Sequence, residues 1–276
     1  MSDTVGAARG PRAKVTAPRV IDLKRKGERI AVATAYDFPM ARLADEAGLD
    51  ILLVGDSVGT VLLGYESTLP VTMEDMLHHV KAVVRAKPSA MVVGDMPFMS
   101  YQASAEDAVR NAGRLVQEGG ADAVKLEGGE RVTEAVRRIV ETGIPVMGHL
   151  GLTPQSVLTF GGYKVQARGE ADQERLLREA KLLEAAGCFA IVLEGIPARL
   201  GGLVSSSLAI PTIGIGAGPA CDGQVLVSHD LLGLNLGHVP KFVRVYAELA
   251  DTMRGAFERF VSDIKSNAFP GERESY

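Results

Sequence analysis

Four apolar runs of strand length each stop on a carboxylate, such runs alternate with helical periodicity along the chain, and no Gly-rich phosphate turn follows the first strand. Together these observations predict an α/β fold, a (β/α)8 TIM barrel with an N-terminal and a C-terminal helix. The four runs are Ile51-Leu52-Leu53-Val54-Gly55-Asp56-Ser57, Met91-Val92-Val93-Gly94-Asp95, Ala123-Val124-Lys125-Leu126-Glu127 and Ala190-Ile191-Val192-Leu193-Glu194. A continuous apolar run is the pattern of a strand buried on both faces, as in a parallel sheet. An open doubly wound sheet also alternates β and α, but it needs a Gly-rich turn after its first strand. Residues 34–38 contain no glycine, and Gly214-Ile215-Gly216-Ala217-Gly218-Pro219 has proline where the third glycine of G-x-G-x-x-G belongs.

Taken in order, a short polar helix is expected over 17–27, with Pro18 near its start and Gly27 after its end, lying across the barrel floor. A strand over 30–36 then pairs with a helix over 39–48, where Met40, Leu43, Ala44 and Ala47 have helical spacing. The strand 51–54 is followed by a long loop and a helix over 72–86. The strand 90–95 precedes a helix over 104–119, capped by Ser104 with Glu106 and Asp107 in its first turn. The strand 123–127 pairs with a helix over 131–143, 145–149 with a helix over 172–187, and 190–194 with a helix over 197–208. A seventh strand lies at 211–215, a weaker eighth within 224–230, and a final helix spans 241–265. No linker interrupts the series, so 15–276 reads as one barrel domain and 1–14 as a disordered tail.

The totals exclude several classes of function. With 276 residues, 46% hydrophobic and 23% charged, the chain has the composition of a globular protein with a sizeable core. A net charge of −4 offers no basic excess for nucleic acid. No apolar run approaches the roughly 18–20 residues of a membrane span, and residues 1–14 lack the apolar segment of a secretory signal, so a cytoplasmic location is expected. Cys188 and Cys221 lack C-x-x-C spacing, which argues against a disulfide framework or a thiolate zinc site. Cys188 reads as a packed core residue, and His78-His79 as a solvated pair on an exterior helix. His229-Asp230 receives no chemical role.

In a barrel of this type, side chains ending different strands converge at one face. Asp56, Asp95, Lys125, Glu127, His149 and Glu194 share that address. Carboxylates gathered in one pocket repel one another unless a cation neutralises them, and hard oxygen donors suit Mg2+. Mg2+ keeps room in its shell for substrate oxygens, and a 2-oxo acid is a natural chelator. Each acidic residue, taken alone, also reads as a turn former or helix cap, and Lys125 as a structural ion-pair partner. Four such coincidences favour a site. His149 reads equally as an oriented imidazole packed in the core behind the site or as a catalytic group.

The motifs Thr34-Ala35-Tyr36-Asp37, Val54-Gly55-Asp56-Ser57, Gly94-Asp95-Met96-Pro97-Phe98, Val124-Lys125-Leu126-Glu127-Gly128-Gly129 and 148–156 resemble those of the ketopantoate hydroxymethyltransferase family, as do 214–218 and 222–224. The resemblance runs from about residue 15 to 265. It implies a folate-dependent enzyme of pantothenate synthesis that transfers a hydroxymethyl group from 5,10-methylenetetrahydrofolate to 3-methyl-2-oxobutanoate, giving 2-dehydropantoate by Mg2+-assisted enolate formation. Carried over by motif, Asp56, Asp95 and Glu127 become metal ligands, Asp56, Ser57, Asp95 and Lys125 the surroundings of the oxo acid, and Glu194 the catalytic base. The resemblance also implies a decamer. Two rival readings remain: a Mg2+-dependent lyase or mutase acting on a pyruvate-like acid, and a catalytically silent assembly barrel.

Overall fold

The computed structural model describes residues 12–237 and 239–276. Eight parallel strands close in sequence order into a barrel: β1 (Ile30–Thr34), β2 (Ile51–Val54), β3 (Met91–Asp95), β4 (Ala123–Glu127), β5 (Val146–Gly151), β6 (Ala190–Glu194), β7 (Thr212–Ile215) and β8 (Gly223–Leu226). Closure is made by β8 pairing in parallel with β1, Val225 opposite Val32. The chain divides into two compact units, one ending at Leu226 and one running from Val227 to Tyr276. The boundary falls inside the segment 224–230 that the sequence assigns to the eighth strand, which is why the sequence reads as a single domain over 15–276.

In the first unit the expected helices are present: α1 (Ala17–Arg25), α2 (Phe38–Ala47), α4 (Met73–Val84), α5 (Ala105–Gln117), α6 (Thr133–Glu141), α8 (Glu170–Ala185) and α9 (Ala198–Ser207). Two short helices, α3 (Val58–Val61) and α7 (Val157–Phe160), lie in the long loops after β2 and β5. Local chemistry sets the boundaries. Thr72 and Asp75 form a reciprocal capping box at the start of α4, Ser104 caps α5 through the Asp107 N–H, and Asp37 caps α2 through the Met40 N–H.

Two apolar layers follow from the strand period of two. Ile51, Leu53, Met91, Val93, Ala123, Met147 and Val192 point into the barrel, and Val20 and Leu23 of α1 join this inner cluster. That is the floor cover expected of the first helix. Leu52, Val54, Val92, Val124, Leu126, Ile191 and Leu193 point outward into the shell shared with α4, α5, α6 and α8. Residues 1–11 of the expected tail lie outside the described residues. Residues 12–14 are held: Arg12 donates to the carbonyls of Gly48 and Leu49, and Lys14 Nζ pairs with Asp122 at 2.7 Å.

The second unit contains α10 (Ser228–Leu231) and α11 (Leu249–Lys265). The final helix starts at Leu249 rather than at 241. The N–H groups of Tyr246, Leu249 and Ala250 bond to the carbonyls of Leu231, Leu232 and Gly233, so the backbone leading into α11 is committed to the turn after α10. None of the residues of α11 is buried. His229-Asp230 lies within α10, not on the eighth strand.

Candidate active site

The inward parity of the strands carries the chemistry to their C-terminal ends. Two residues beyond Val93 comes Asp95, beyond Ala123 come Lys125 and then Glu127, beyond Met147 comes His149, and beyond Val192 comes Glu194. Strand register sets them side by side, with Asp95 opposite Lys125 and Glu127 opposite His149. Asp56 and Ser57 follow β2 in the turn into α3. At Gly55 an added Cβ would stand 2.8 Å from Ser57 Oγ, so the glycine leaves the space that the serine hydroxyl uses. Every residue singled out from the sequence therefore stands at the same end of the barrel.

Their contacts form one network. Lys125 Nζ lies 2.6 and 2.7 Å from the two oxygens of Asp95 and 4.0 Å from Glu127 Oε1. The Asp56 N–H donates to Asp95 Oδ2 at 3.2 Å. His149 bridges two carboxylates, Nδ1 to Glu127 Oε1 at 3.4 Å and Nε2 to Glu194 Oε2 at 3.3 Å. These are ion-pair separations without hydrogen-bond alignment, since both ring nitrogens and Glu127 Oε1 are buried without a hydrogen bond. The Glu194 side chain is 16% exposed, whereas those of Asp95, Lys125, Glu127 and His149 are 4% or less, so Glu194 is the group of this set open to an arriving substrate.

Burial and charge set the protonation states. Burial opposes charge on Lys125, but Asp95, Glu127 and Asp56 outweigh it and raise its pKa, keeping an ammonium in place. Burial and the Lys125 charge also act against a charged His149, yet Glu127 and Glu194 hold its pKa up at about 9. Burial raises Glu127, but His149 and Lys125 more than offset this and lower it below the usual carboxylate range. Asp56 goes the other way, pushed well up by burial and then by the charges of Asp95 and Glu127.

That upward push bears on whether a cation fits. Among the described residues no group of three or more His, Cys, Asp or Glu side chains forms a ready metal cage. Both oxygens of Asp95 are engaged by Lys125, and Glu127 Oε2 accepts the Gln155 N–H at 3.0 Å. Mg2+ does not require such a cage, because it is commonly held by one or two carboxylates with water and substrate oxygens completing its shell. Asp56, a buried carboxylate whose ionised form lacks an ion-pair partner among the described residues, is the donor that such a cation would stabilise. The all-oxygen donor set fits.

A family model described as Ketopantoate hydroxymethyltransferase matches residues 14–272. The chain belongs to this family. Among its relatives, the 3-methyl-2-oxobutanoate hydroxymethyltransferase of Syntrophus aciditrophicus is 57% identical over 95% of this chain and 97% of that relative. The protein of the same name from Moorella thermoacetica is 57% identical over 96% and 98%. Solved structures of the same fold include phosphoenolpyruvate phosphomutase from Streptomyces platensis (TM-score 0.62, 15% identity, 91% of this chain and 88% of that one). They also include 2,3-dimethylmalate lyase, a PEP mutase/isocitrate lyase superfamily member (0.59, 17%, 96% and 89%). At these identities the likeness is one of fold alone.

The lyase or mutase alternative would ordinarily need a catalytic cysteine in a flexible loop or a phosphonate-binding cluster, and neither cysteine of this chain suits the first of these. Cys188 and Cys221 are both buried, and burial pushes the Cys188 thiol up to about 12 and raises that of Cys221. Arg29 does neighbour Cys221, but it donates to the backbone carbonyl. His79 is no solvated residue: it is buried on α4, with Nδ1 2.7 Å from the Tyr36 carbonyl oxygen. The Tyr36 hydroxyl in turn lies 2.8 Å from Ser57 Oγ. Sequence reasoning misses Tyr36, Tyr101 and Gln155 as hydrogen-bond partners of the site residues, because polar side chains in loops carry no periodic signal. Their occurrence inside the family-like motifs, for Tyr36 and Gln155, is the signal that was there to use.

Proposed function

We propose that this chain transfers the one-carbon unit of 5,10-methylenetetrahydrofolate to 3-methyl-2-oxobutanoate and releases 2-dehydropantoate for pantothenate synthesis. One observation carries the reading. A lone partly exposed carboxylate, Glu194, stands beside a buried layer that holds a fixed ammonium, Lys125, and a carboxylate in want of a cation, Asp56. That combination is what proton abstraction next to a ketone requires.

Asp56, Asp95 and Glu127 are the residues that would hold Mg2+, with Asp56 as the first donor. When bound, the cation supplies a Lewis acid that polarises the ketone of the oxo acid. Ser57, oriented by the Tyr36 hydroxyl, donates to the substrate, and Lys125 places positive charge beside the oxygen on which negative charge develops. Glu194 takes the proton from C3. The carbon left behind forms a bond to the methylene carbon of the folate, both C–N bonds of that methylene break in turn with their electron pairs returning to the two nitrogens, and water supplies the hydroxyl oxygen, the proton from C3 and one from water ending on those nitrogens. His149, charged and placed behind Glu194, holds the carboxylate in position and balances its negative charge. The reading places the enzyme in the cytoplasm, where its two thiols stay reduced, and includes self-association into a decamer.

Deuterium exchange at C3 of 3-methyl-2-oxobutanoate tests it. In D2O with Mg2+, the wild type should exchange the C3 proton, and with the folate added it should form 2-dehydropantoate. Glu194→Gln should abolish exchange while still binding Mn2+ as a Mg2+ surrogate. Exchange at the normal rate in that variant assigns the base elsewhere, and a wild type that forms no 2-dehydropantoate overturns the reading.

A further inference from the structure

The site's carboxylates are oriented by a side chain that takes no part in the chemistry described so far. Gln155 lies in the short 3-10 turn Pro154–Ser156 after β5 and is 5% exposed. A primary amide has two N–H donors and two acceptor lone pairs, and all four are used here. Nε2 donates to Asp56 Oδ2 at 2.9 Å and to the Met96 carbonyl oxygen at 3.0 Å. Oε1 accepts from the Tyr101 hydroxyl at 2.6 Å and from Gln102 Nε2 at 3.0 Å. The Gln155 backbone N–H, besides, donates to Glu127 Oε2.

Tyr101 makes this orientation one-way. Its hydroxyl is buried, accepts the Glu127 N–H at 3.0 Å, and has a single proton to give, which goes to Gln155 Oε1 as the nearest acceptor. A flipped amide would turn Oε1 toward the Asp56 carboxylate and the Met96 carbonyl, oxygen against oxygen, so the amide nitrogen is fixed toward Asp56. Tyr101 belongs to the loop after β3, which Asn111 pins through the Ser100 carbonyl at 2.7 Å. Two loops from different strands thus meet on the carboxylates of β4 and of the turn after β2.

We infer that Gln155, locked by Tyr101, is a positioning residue that presents the Asp56 and Glu127 carboxylates to a divalent cation. With Asp56 Oδ2 and Glu127 Oε2 each held by a Gln155 N–H, the two carboxylates are set in place before the cation arrives, and Glu127 Oε1 is left buried without a hydrogen bond. Partners of this kind, behind the ligands themselves, commonly govern metal affinity by 10–100-fold. The inference rests on the cation site proposed above and is tested apart from the reaction.

The experiment titrates full-length protein with Mn2+ alone, reading free Mn2+ by electron paramagnetic resonance, for the wild type, Gln155→Leu, Tyr101→Phe and the double variant. Gln155→Leu should weaken Mn2+ binding by roughly 10–100-fold and Tyr101→Phe by about tenfold. The double variant should lose less than the sum of the two single losses, because Tyr101 acts on Asp56 through the amide while its bond to the Glu127 N–H adds a separate share. Saturating Mn2+ should recover most of kcat, an outcome that general damage to the fold would not give. Tyr101→Phe, which removes one oxygen, keeps the test open if the leucine variant does not fold. Unchanged Mn2+ affinity in the variants, with the wild type binding, overturns this inference alone. A wild type that binds no Mn2+ overturns the cation site and the inference with it.

Discussion

At the scale of one residue, Lys125 joins the stability of the barrel to the chemistry proposed for it. Its ammonium is buried against Asp95, so removing it strands a carboxylate in the barrel, a change of the kind that costs about 3–5 kcal/mol. Lys125→Met should therefore lower the urea unfolding midpoint and abolish C3 exchange. Adding Asp95→Asn should return most of the stability, since the stranded charge is gone, but none of the exchange. If the double variant is as unstable as the single one, the pair is not the source of the loss. His149 makes a second prediction, about pH. Its folded pKa of about 9 lies above the ordinary 6.5, so its pairing with Glu127 and Glu194 stabilises fully below about pH 6.5 and is lost as the pH rises through 9. The contribution is at most about 3 kcal/mol. Metal-free wild type should lose stability between pH 6.5 and 9.5 relative to His149→Gln, as read by urea midpoints. Parallel curves for the two proteins would mean that the imidazole is neutral.

Among the elements, β5 and β6 place Glu194, the proposed base, through a backbone approach that only glycine permits. Gly151 has φ +93°, and a Cβ there would stand 2.2 Å from the Glu194 carbonyl oxygen, which also accepts the Leu152 N–H at 2.8 Å. Gly151→Ala should destabilise the protein by about 1–3 kcal/mol and reduce C3 exchange more than tenfold by displacing Glu194. Unaltered exchange would show that the end of β6 is not set by this contact. The strands were legible because parallel strands buried on both faces read as unbroken apolar runs, and a carboxylate ending such a run stands out. Period-two parity then predicts that Asp95, Lys125, Glu127, His149 and Glu194 face inward together. What was not legible lies where the pattern was not followed on α4 or where no period operates in the loops; His79 shares the apolar face of α4 with Met76, Val80 and Val83. The burial of His79 depends on the face of α4 that meets Tyr36, and the roles of Tyr101 and Gln155 depend on two loops meeting in space. The start of α11 was missed because tertiary backbone bonds at Tyr246 and Leu249, rather than propensity, decide it.

For the whole molecule, the barrel answers to its site and α11 poses a different question. Met253, Phe257, Phe260, Val261 and Ile264 recur at i, i+4, i+7, i+8 and i+11, a single stripe along the helix, and each is between 44% and 65% exposed. Within the second unit, Met253, Phe257 and Val261 line a groove of about 690 Å³ together with Leu234 and Leu236. A contiguous apolar stripe of this size is seldom left in water. Self-association is the occupant proposed on the family resemblance, since a homo-oligomer would bury the same stripe once in every copy and close by symmetry. Aromatic side chains would carry much of the energy, each burying roughly 150–250 Å². Two carboxylates on the stripe should therefore be enough to separate the copies without touching Glu194 or Lys125. Phe257→Asp with Val261→Asp should shift the sedimentation coefficient from that of a large oligomer to that of smaller species, while the metal-free protein keeps its circular dichroism. A wild type that sediments as a monomer, or a double variant with an unchanged coefficient, would show that α11 does not hold the assembly together.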